Sequence, residues 1–182
     1  MVNKTKIQGL LLIKPKVYED ERGYFFESFN NKIFNENFKK IHFIQDNESE
    51  STRGVLRGFH FQKPPHDQAK LVRCIKGKVL DVVVDIRKSS KTYGKFEKFI
   101  LSGVNKHQLF IPSGFAHAFL VLSDKAIFAY KVDKLYAPEY DSGILWNDPF
   151  LSVDWGIDKE KIIISEKDKN LVSISQFKTP FE

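Results

Sequence analysis

Between residues 55 and 135 apolar and polar positions alternate in short runs, the period of a half-buried strand. The clearest run is 78–87, where Leu80, Val82, Val84 and Ile86 alternate with Val79, Asp81, Val83 and Asp85. Two carboxylates thus share a face with valines. That face either lines a cavity inside a barrel or looks onto solvent. Lys76-Gly77 marks a turn ahead of this run, and 71–75 reads as the strand before it, so the pair is expected to form a hairpin. Further strands are expected over 96–101, 109–112, 117–122 and 126–132, separated by Pro112-Ser113-Gly114 and Ser123-Asp124-Lys125. Strands this closely spaced predict an all-β sandwich or barrel.

Residues 10–29 also read as extended, with the aromatic run Tyr24-Phe25-Phe26-Glu27-Ser28-Phe29 preceded by Arg22. One short helix is expected over 31–40, with Ile33, Phe34 and Phe38 on its apolar side. The charged segment from Asp158 onward predicts a short helix with extended ends. No repeat or linker divides the chain, so 1–182 reads as a single domain.

Composition narrows the class. Apolar residues make up 42% of the 182 positions, enough for one core. Aromatics reach 14%, with 17 Phe, enough to line a pocket as well. The net charge of +6 is dispersed, without the clustered basic stripe of a nucleic-acid binder. It suits an anionic small substrate or simply a solvated surface. The lone cysteine, Cys74, lies in an apolar run and reads as a core residue; one cysteine builds neither a disulfide framework nor a Cys-based zinc site within a chain. No signal pattern or membrane-length apolar run is present, which points to a cytoplasmic enzyme or binding protein.

Several residues could carry chemistry. His60, between Phe59 and Phe61, would be partly desolvated and able to accept a proton, or simply a hydrogen-bonded structural histidine. Gln62 shares its face by period two, whereas Arg57 reaches that face only if Gly58 permits a bulge. Lys70, entering a strand, could stabilise an oxyanion or lie at a rim with its head in water. His117 and Phe119 face inward after the Pro112-Ser113-Gly114 turn. A metal site of the barrel type needs a second histidine where Gln62 stands, so no metal is expected. Tyr130, alternating with Phe128 and Val132, is either a proton donor or a core phenol. Ser165-Glu166-Lys167-Asp168 could supply a carboxylate that orients a histidine, or be a solvated charge run.

Taken in order, five motifs resemble one family. They are Leu-Arg-Gly-Phe-His-Phe-Gln (56–62), Gln-Ala-Lys-Leu-Val-Arg (68–73), Asp-Val-Val-Val-Asp-Ile-Arg (81–87), Ile-Pro-Ser-Gly-Phe-Ala-His-Ala-Phe (111–119) and Tyr-Lys-Val-Asp-Lys-Leu-Tyr (130–136). The family is the dTDP-4-dehydrorhamnose 3,5-epimerases, and the likeness runs from about Arg22 to Asp168. It implies an all-β cupin fold, a double-stranded β-helix or jelly-roll barrel with a few short helices. It implies a general base at His60, its paired carboxylate at Asp168, a proton donor at Tyr130 and an enolate-stabilising Lys70. Arg57, His117, Tyr136 and Lys167 match substrate-contacting positions. Arg22, Phe26, Glu27, Gln45 and Asn47 match the nucleotide-binding edge. Asp141 stands where the family often has Glu. The likeness further implies a homodimer paired through its N-terminal strands, no cofactor, and a nucleotide-sugar substrate such as dTDP-4-keto-6-deoxyglucose.

The motifs leave open an epimerase acting at one carbon or on another nucleotide sugar, such as a GDP-linked heptose, and a sugar-binding barrel without activity. Asp81 is expected to fix His117 by a hydrogen bond, since both are expected to face the interior.

Overall fold

The computed structural model describes residues 1–32, 34 and 41–182. Most of the helix expected over 31–40, including Ile33 and Phe38, therefore lies outside the described residues.

The period-two runs form strands that assemble into two facing antiparallel sheets. One runs in the order β1 (Val2–Lys4), β2 (Leu11–Ile13), β10 (Gln108–Ile111), β7 (Lys70–Lys76), β12 (Lys125–Val132), β5 (Gln45–Thr52). The other runs β13 (Asp141–Gly143), β6 (Leu56–Gln62), β11 (Phe115–Val121), β8 (Lys78–Asp85), β9 (Phe96–Ser102). β3 (Tyr18–Asp20) and β4 (Gly23–Phe25) pair apart from both. This is the all-β, two-sheet barrel of the cupin type.

Strand β8 explains the architecture. Its odd positions Val79 and Val83 join Val72, Leu109, Phe119 and Phe128 in the core between the sheets. Its even positions Leu80, Val82 and Val84 point outward, yet they are buried too, under Leu151, Trp155, Ile174 and Phe181 of the C-terminal segment. That segment is fastened by Asp148, 1% exposed, which accepts hydrogen bonds from the backbone N–H groups of Phe150, Leu151 and Ile174. Asp81 and Asp85 are fully buried, so the valine-and-carboxylate face is interior and not a solvent face.

The expected hairpin between β7 and β8 is not formed. β7 belongs to the six-stranded sheet and β8 to the five-stranded one, so the chain crosses between sheets at Gly77. One glycine is too short for a two-residue hairpin turn. It fits a corner: φ is +81°, and an added Cβ would lie 2.1 Å from the Lys125 carbonyl oxygen. β11 and β12 likewise lie in different sheets. β11 begins at Phe115, so His117 is its third residue and not a strand start.

In β6 the bulge permitted by Gly58 is present. His60 pairs with His117 but Arg57 pairs with Phe119, so the β6 strand spends one extra residue there. Gly58 has φ +127°, and a Cβ would meet the Ala118 Cα at 2.5 Å. The bulge turns Arg57 to the same side as His60, while Phe59 and Phe61 go to the outer core. Among the described residues no helix is long and apolar enough to cross a membrane.

Candidate active site

Where the barrel interior turns from apolar to polar it opens into a hollow of about 610 Å³, within the range for small-ligand sites. Arg57, His60 and His117 line it from the five-stranded sheet, and Asn47, Lys70 and Tyr130 from the six-stranded sheet. Phe119 and Phe128, stacked at 4.1 Å, form apolar lining between them.

His60 reaches Asp168 through its Nε2, 2.6 Å from Oδ1. The acid comes from the one-turn helix Glu166–Lys169, whose N-cap Ser165 accepts the Asp168 backbone N–H at 3.2 Å. The segment is delivered there by pairing with the start of β6: the Leu56 N–H donates to the Ile163 carbonyl at 2.9 Å. Asp168 is 3% exposed, so it is no part of a solvated charge run. Burial opposes its charge, but hydrogen bonds from His60, the Gly58 backbone and Ser165 hold its carboxyl below the usual value. With Asp168 accepting from Nε2–H, the ring lone pair rests on Nδ1.

The facing wall has a different character. Burial drives the Lys70 ammonium down to about 8, against the opposing pull of the Asp141 and Asp81 carboxylates. Among the described residues the ammonium forms no ion pair; it lies 6.0 Å from the centre of the Tyr130 ring. Burial raises the Tyr130 phenol above its ordinary value, with Arg57 pulling the other way. A phenol so placed keeps its proton at neutral pH and can give it up to a carbanion. The Arg57 Nε is anchored on Ser51 Oγ at 3.2 Å.

At the rim, Lys167 pairs with Asp141, which also accepts the Tyr136 hydroxyl at 2.9 Å. Burial acts against the Lys167 charge, but Asp141 holds its pKa above the ordinary value. Lys167 lines the hollow directly; Tyr136 and Asp141 stand behind it. His117 bonds through Nε2 to Asp81 at 2.8 Å, as expected.

Other candidates stand elsewhere. Gln62 does not line the hollow: its amide donates to the carbonyls of His66 and Leu135 and accepts from the Ala137 N–H, bracing two loops. Gln45 donates to Asn47 at 2.8 Å and so stands one residue removed. Arg22, Phe26 and Glu27 are not brought to the hollow of their own chain. Arg22 binds Asp20, Phe26 lies against Arg73, and Glu27 accepts from Asn30. Cys74 is buried and its thiol is pushed up to about 11, first by burial, which suits a core residue. Ile163, Ile164 and Ser165 line the hollow without having been expected to. The Ser-x-x-Asp spacing of an N-cap was the available signal for Ser165. Among the described residues no cluster of three or more His, Cys, Asp or Glu could hold a metal ion.

An imidazole backed by a carboxylate thus faces a phenol and an ammonium across one hollow. That arrangement can remove a proton from one side of a carbon acid, stabilise the resulting oxyanion and return a proton from the other.

Comparison with known proteins agrees. The family model of dTDP-4-dehydrorhamnose 3,5-epimerase matches residues 4–176. A dTDP-4-dehydrorhamnose 3,5-epimerase from Methanothermobacter thermautotrophicus is 55% identical over 92% of this chain and 90% of its own. The crystal structure of a dTDP-6-deoxy-D-glucose-3,5-epimerase from Legionella pneumophila in complex with dTDP-4-keto-L-rhamnose superposes with a TM-score of 0.93 at 44% identity, covering 98% of this chain and 94% of that one. A 3'-monoepimerase from Streptomyces bikiniensis in complex with dTDP-quinovose superposes at 0.89 with 32% identity, over 95% of this chain and 87% of that one. The chain belongs to the dTDP-4-dehydrorhamnose 3,5-epimerase family.

Proposed function

We propose that the hollow binds a dTDP-linked 4-keto-6-deoxy sugar and that the chain inverts carbons 3 and 5 without a metal or cofactor. The observation that carries this reading is the His60–Asp168 pair on one wall facing Tyr130 and Lys70 on the other. Carbons 3 and 5 flank the ketone, so loss of a proton from either gives an enolate. His60 takes the proton on Nδ1, and Asp168 stabilises the imidazolium. Negative charge develops on the ketone oxygen, where Lys70 meets it. Tyr130 returns a proton from the facing wall, which inverts the centre. A positioned acid or base contributes about 10²–10⁴-fold.

Arg57, Asn47, His117 and Lys167 serve substrate binding in this reading. Arg22, Phe26 and Glu27 serve it from a second subunit. Their hairpin, β3–β4, carries Tyr18, Tyr24 and Phe25 at 54%, 57% and 66% exposure, apolar surface of the kind an interface covers. The reading therefore includes a homodimer, and a cytoplasmic location that suits one buried free cysteine.

The test is incubation with dTDP-4-keto-6-deoxyglucose in heavy water, followed by NMR. Deuterium at both carbons and a product of L-rhamno configuration are expected; no exchange at either carbon would overturn the reading. The likeness to a monoepimerase favours one alternative, inversion at a single carbon, and deuterium at one carbon alone would establish it.

A further inference from the structure

The hollow contains a second imidazole–carboxylate pair that the proton transfers above do not use. His117 and His60 are direct partners on neighbouring strands and line the same wall. Asp81 lies diagonally across from His117, since β11 pairs His117 with Val83 and Phe119 with Asp81. The Asp81 side chain is completely buried and the His117 side chain nearly so. One Asp81 oxygen accepts from His117 Nε2 at 2.8 Å; the other, Oδ1, is buried without a hydrogen-bond partner among the described residues. A buried carboxylate that relies on one donor holds that donor firmly in place. Phe128 also stacks on the ring, at 6.1 Å between centres. Orientation and tautomer are thereby fixed together: Nε2 carries the hydrogen toward Asp81, and the Nδ1 lone pair is left to the hollow.

A lone pair accepts; it does not donate. It has nothing to offer a diphosphate or a ketone oxygen, and cations already stand ready for those in Arg57, Lys167 and Lys70. The part of a 4-keto-6-deoxy sugar that donates is a ring hydroxyl. Resting on the nucleotide-sugar reading above, we propose that Asp81 is a positioning residue that sets His117 as a hydrogen-bond acceptor for one of the two ring hydroxyls, at carbon 2 or carbon 3. The pair makes the site select sugars that keep that hydroxyl.

The experiment has two arms. Nitrogen-15 NMR of the imidazoles in the whole protein reads the tautomer directly. Native His117 is expected with hydrogen on Nε2 only, and Asp81→Asn, which keeps the shape, is expected to lose that preference. Hydrogen found on Nδ1 of native His117 would overturn the proposal. In the second arm, calorimetry measures binding of dTDP-6-deoxyglucose, which cannot be epimerised, and of its 2-deoxy, 2-fluoro, 3-deoxy and 3-fluoro analogues. The native protein is expected to bind the deoxy and fluoro forms at one carbon about tenfold more weakly than the parent. His117→Phe and Asp81→Asn are expected to bind parent and analogues alike. Tight binding of the parent with no loss on any analogue, or a loss that persists in both variants, would overturn this inference alone. Failure of the native protein to bind the parent as well would overturn the nucleotide-sugar reading with it.

Discussion

His60 and Tyr130 come from different sheets, β6 and β12, yet both line one hollow, the histidine on one wall and the phenol on the facing one. A base and an acid so arranged can invert a carbon held between them. Replacing Tyr130 by Phe should therefore separate the two half-reactions. Y130F is expected to keep deuterium exchange at the carbon His60 reaches while losing about 10²-fold or more of product formation. Proton NMR in heavy water measures both. Equal loss of exchange and inversion would remove Tyr130 from the donor role.

In the proposed mechanism Asp168 acts through its hydrogen bond to His60. D168N keeps the shape of the side chain but leaves the imidazolium without its counter-charge. The expected result is a fall in kcat of about 10²–10⁴-fold with a KM within a few-fold of native. A large rise in KM with unchanged kcat would mean that the acid serves binding.

Lys70 gives a pH signature with a definite sign. Its ammonium must be charged to meet an enolate, and burial has brought it down to about 8 from 10.5. As pH rises through 8 the charge is lost, so kcat is expected to fall on the alkaline side. The same shift means that the folded chain binds fewer protons than the unfolded chain between the two values, so stability rises with pH across that window. Lys70→Met should abolish most activity and the alkaline limb while raising the melting temperature at neutral pH, because a desolvated charge is gone. An unchanged limb in K70M would assign it to another group.

Complementation tests the second subunit. A chain carrying H60N lacks the base, and one carrying R22A lacks the hairpin arginine. If Arg22 crosses to the partner's hollow, each mixed dimer has one hollow with both residues native. Unfolding and co-refolding the two inactive proteins should then restore a part of native activity. No recovery, together with mixed dimers seen by mass spectrometry, would place Arg22 outside the site.

Gly58 should not tolerate a side chain. A Cβ there would lie 2.5 Å from the Ala118 Cα and from the His117 carbonyl oxygen, at a φ that L-residues avoid. G58A is expected to lose several kcal/mol of stability, in the range of strained and overpacked sites, about 1–3 kcal/mol from each cause. Urea unfolding gives the number, and a change below 0.5 kcal/mol, the scale of an indifferent surface site, would show that the bulge can relax.

The sequence pattern made most of this barrel legible. Period two located β8, β9, β10 and β12, because strands that bury at least one face must alternate or stay apolar. Period two alone set Arg57 opposite His60; only the bulge that Gly58 was expected to permit brings the two to one hollow. Sheet membership was not legible. Alternation says which side of a strand is buried but not which strand lies beside it, so the corner at Gly77 read as a hairpin. Gln62 shows a similar limit. Period two put it on the face of His60, but the strand ends there, and loops at 63–66 and 133–137 claim its amide. Asp168 read as ambiguous because its burial depends on the tail pairing with β6, a contact more than 100 residues away in sequence. Arg22, Phe26 and Glu27 stay away from the hollow of their own chain, which neither period nor motif could show.

The order in which the pieces are made carries a last consequence. The final strand of either sheet ends at Gly143, but the acid that supports His60 follows at Asp168, and Phe181 of the covering segment comes later still. Both the partner of His60 and much of the cover of the outer core are thus made after the last strand. A chain that ended before Asp168 would leave His60 without the carboxylate it bonds to, and the outer face of β8 without Ile174 and Phe181.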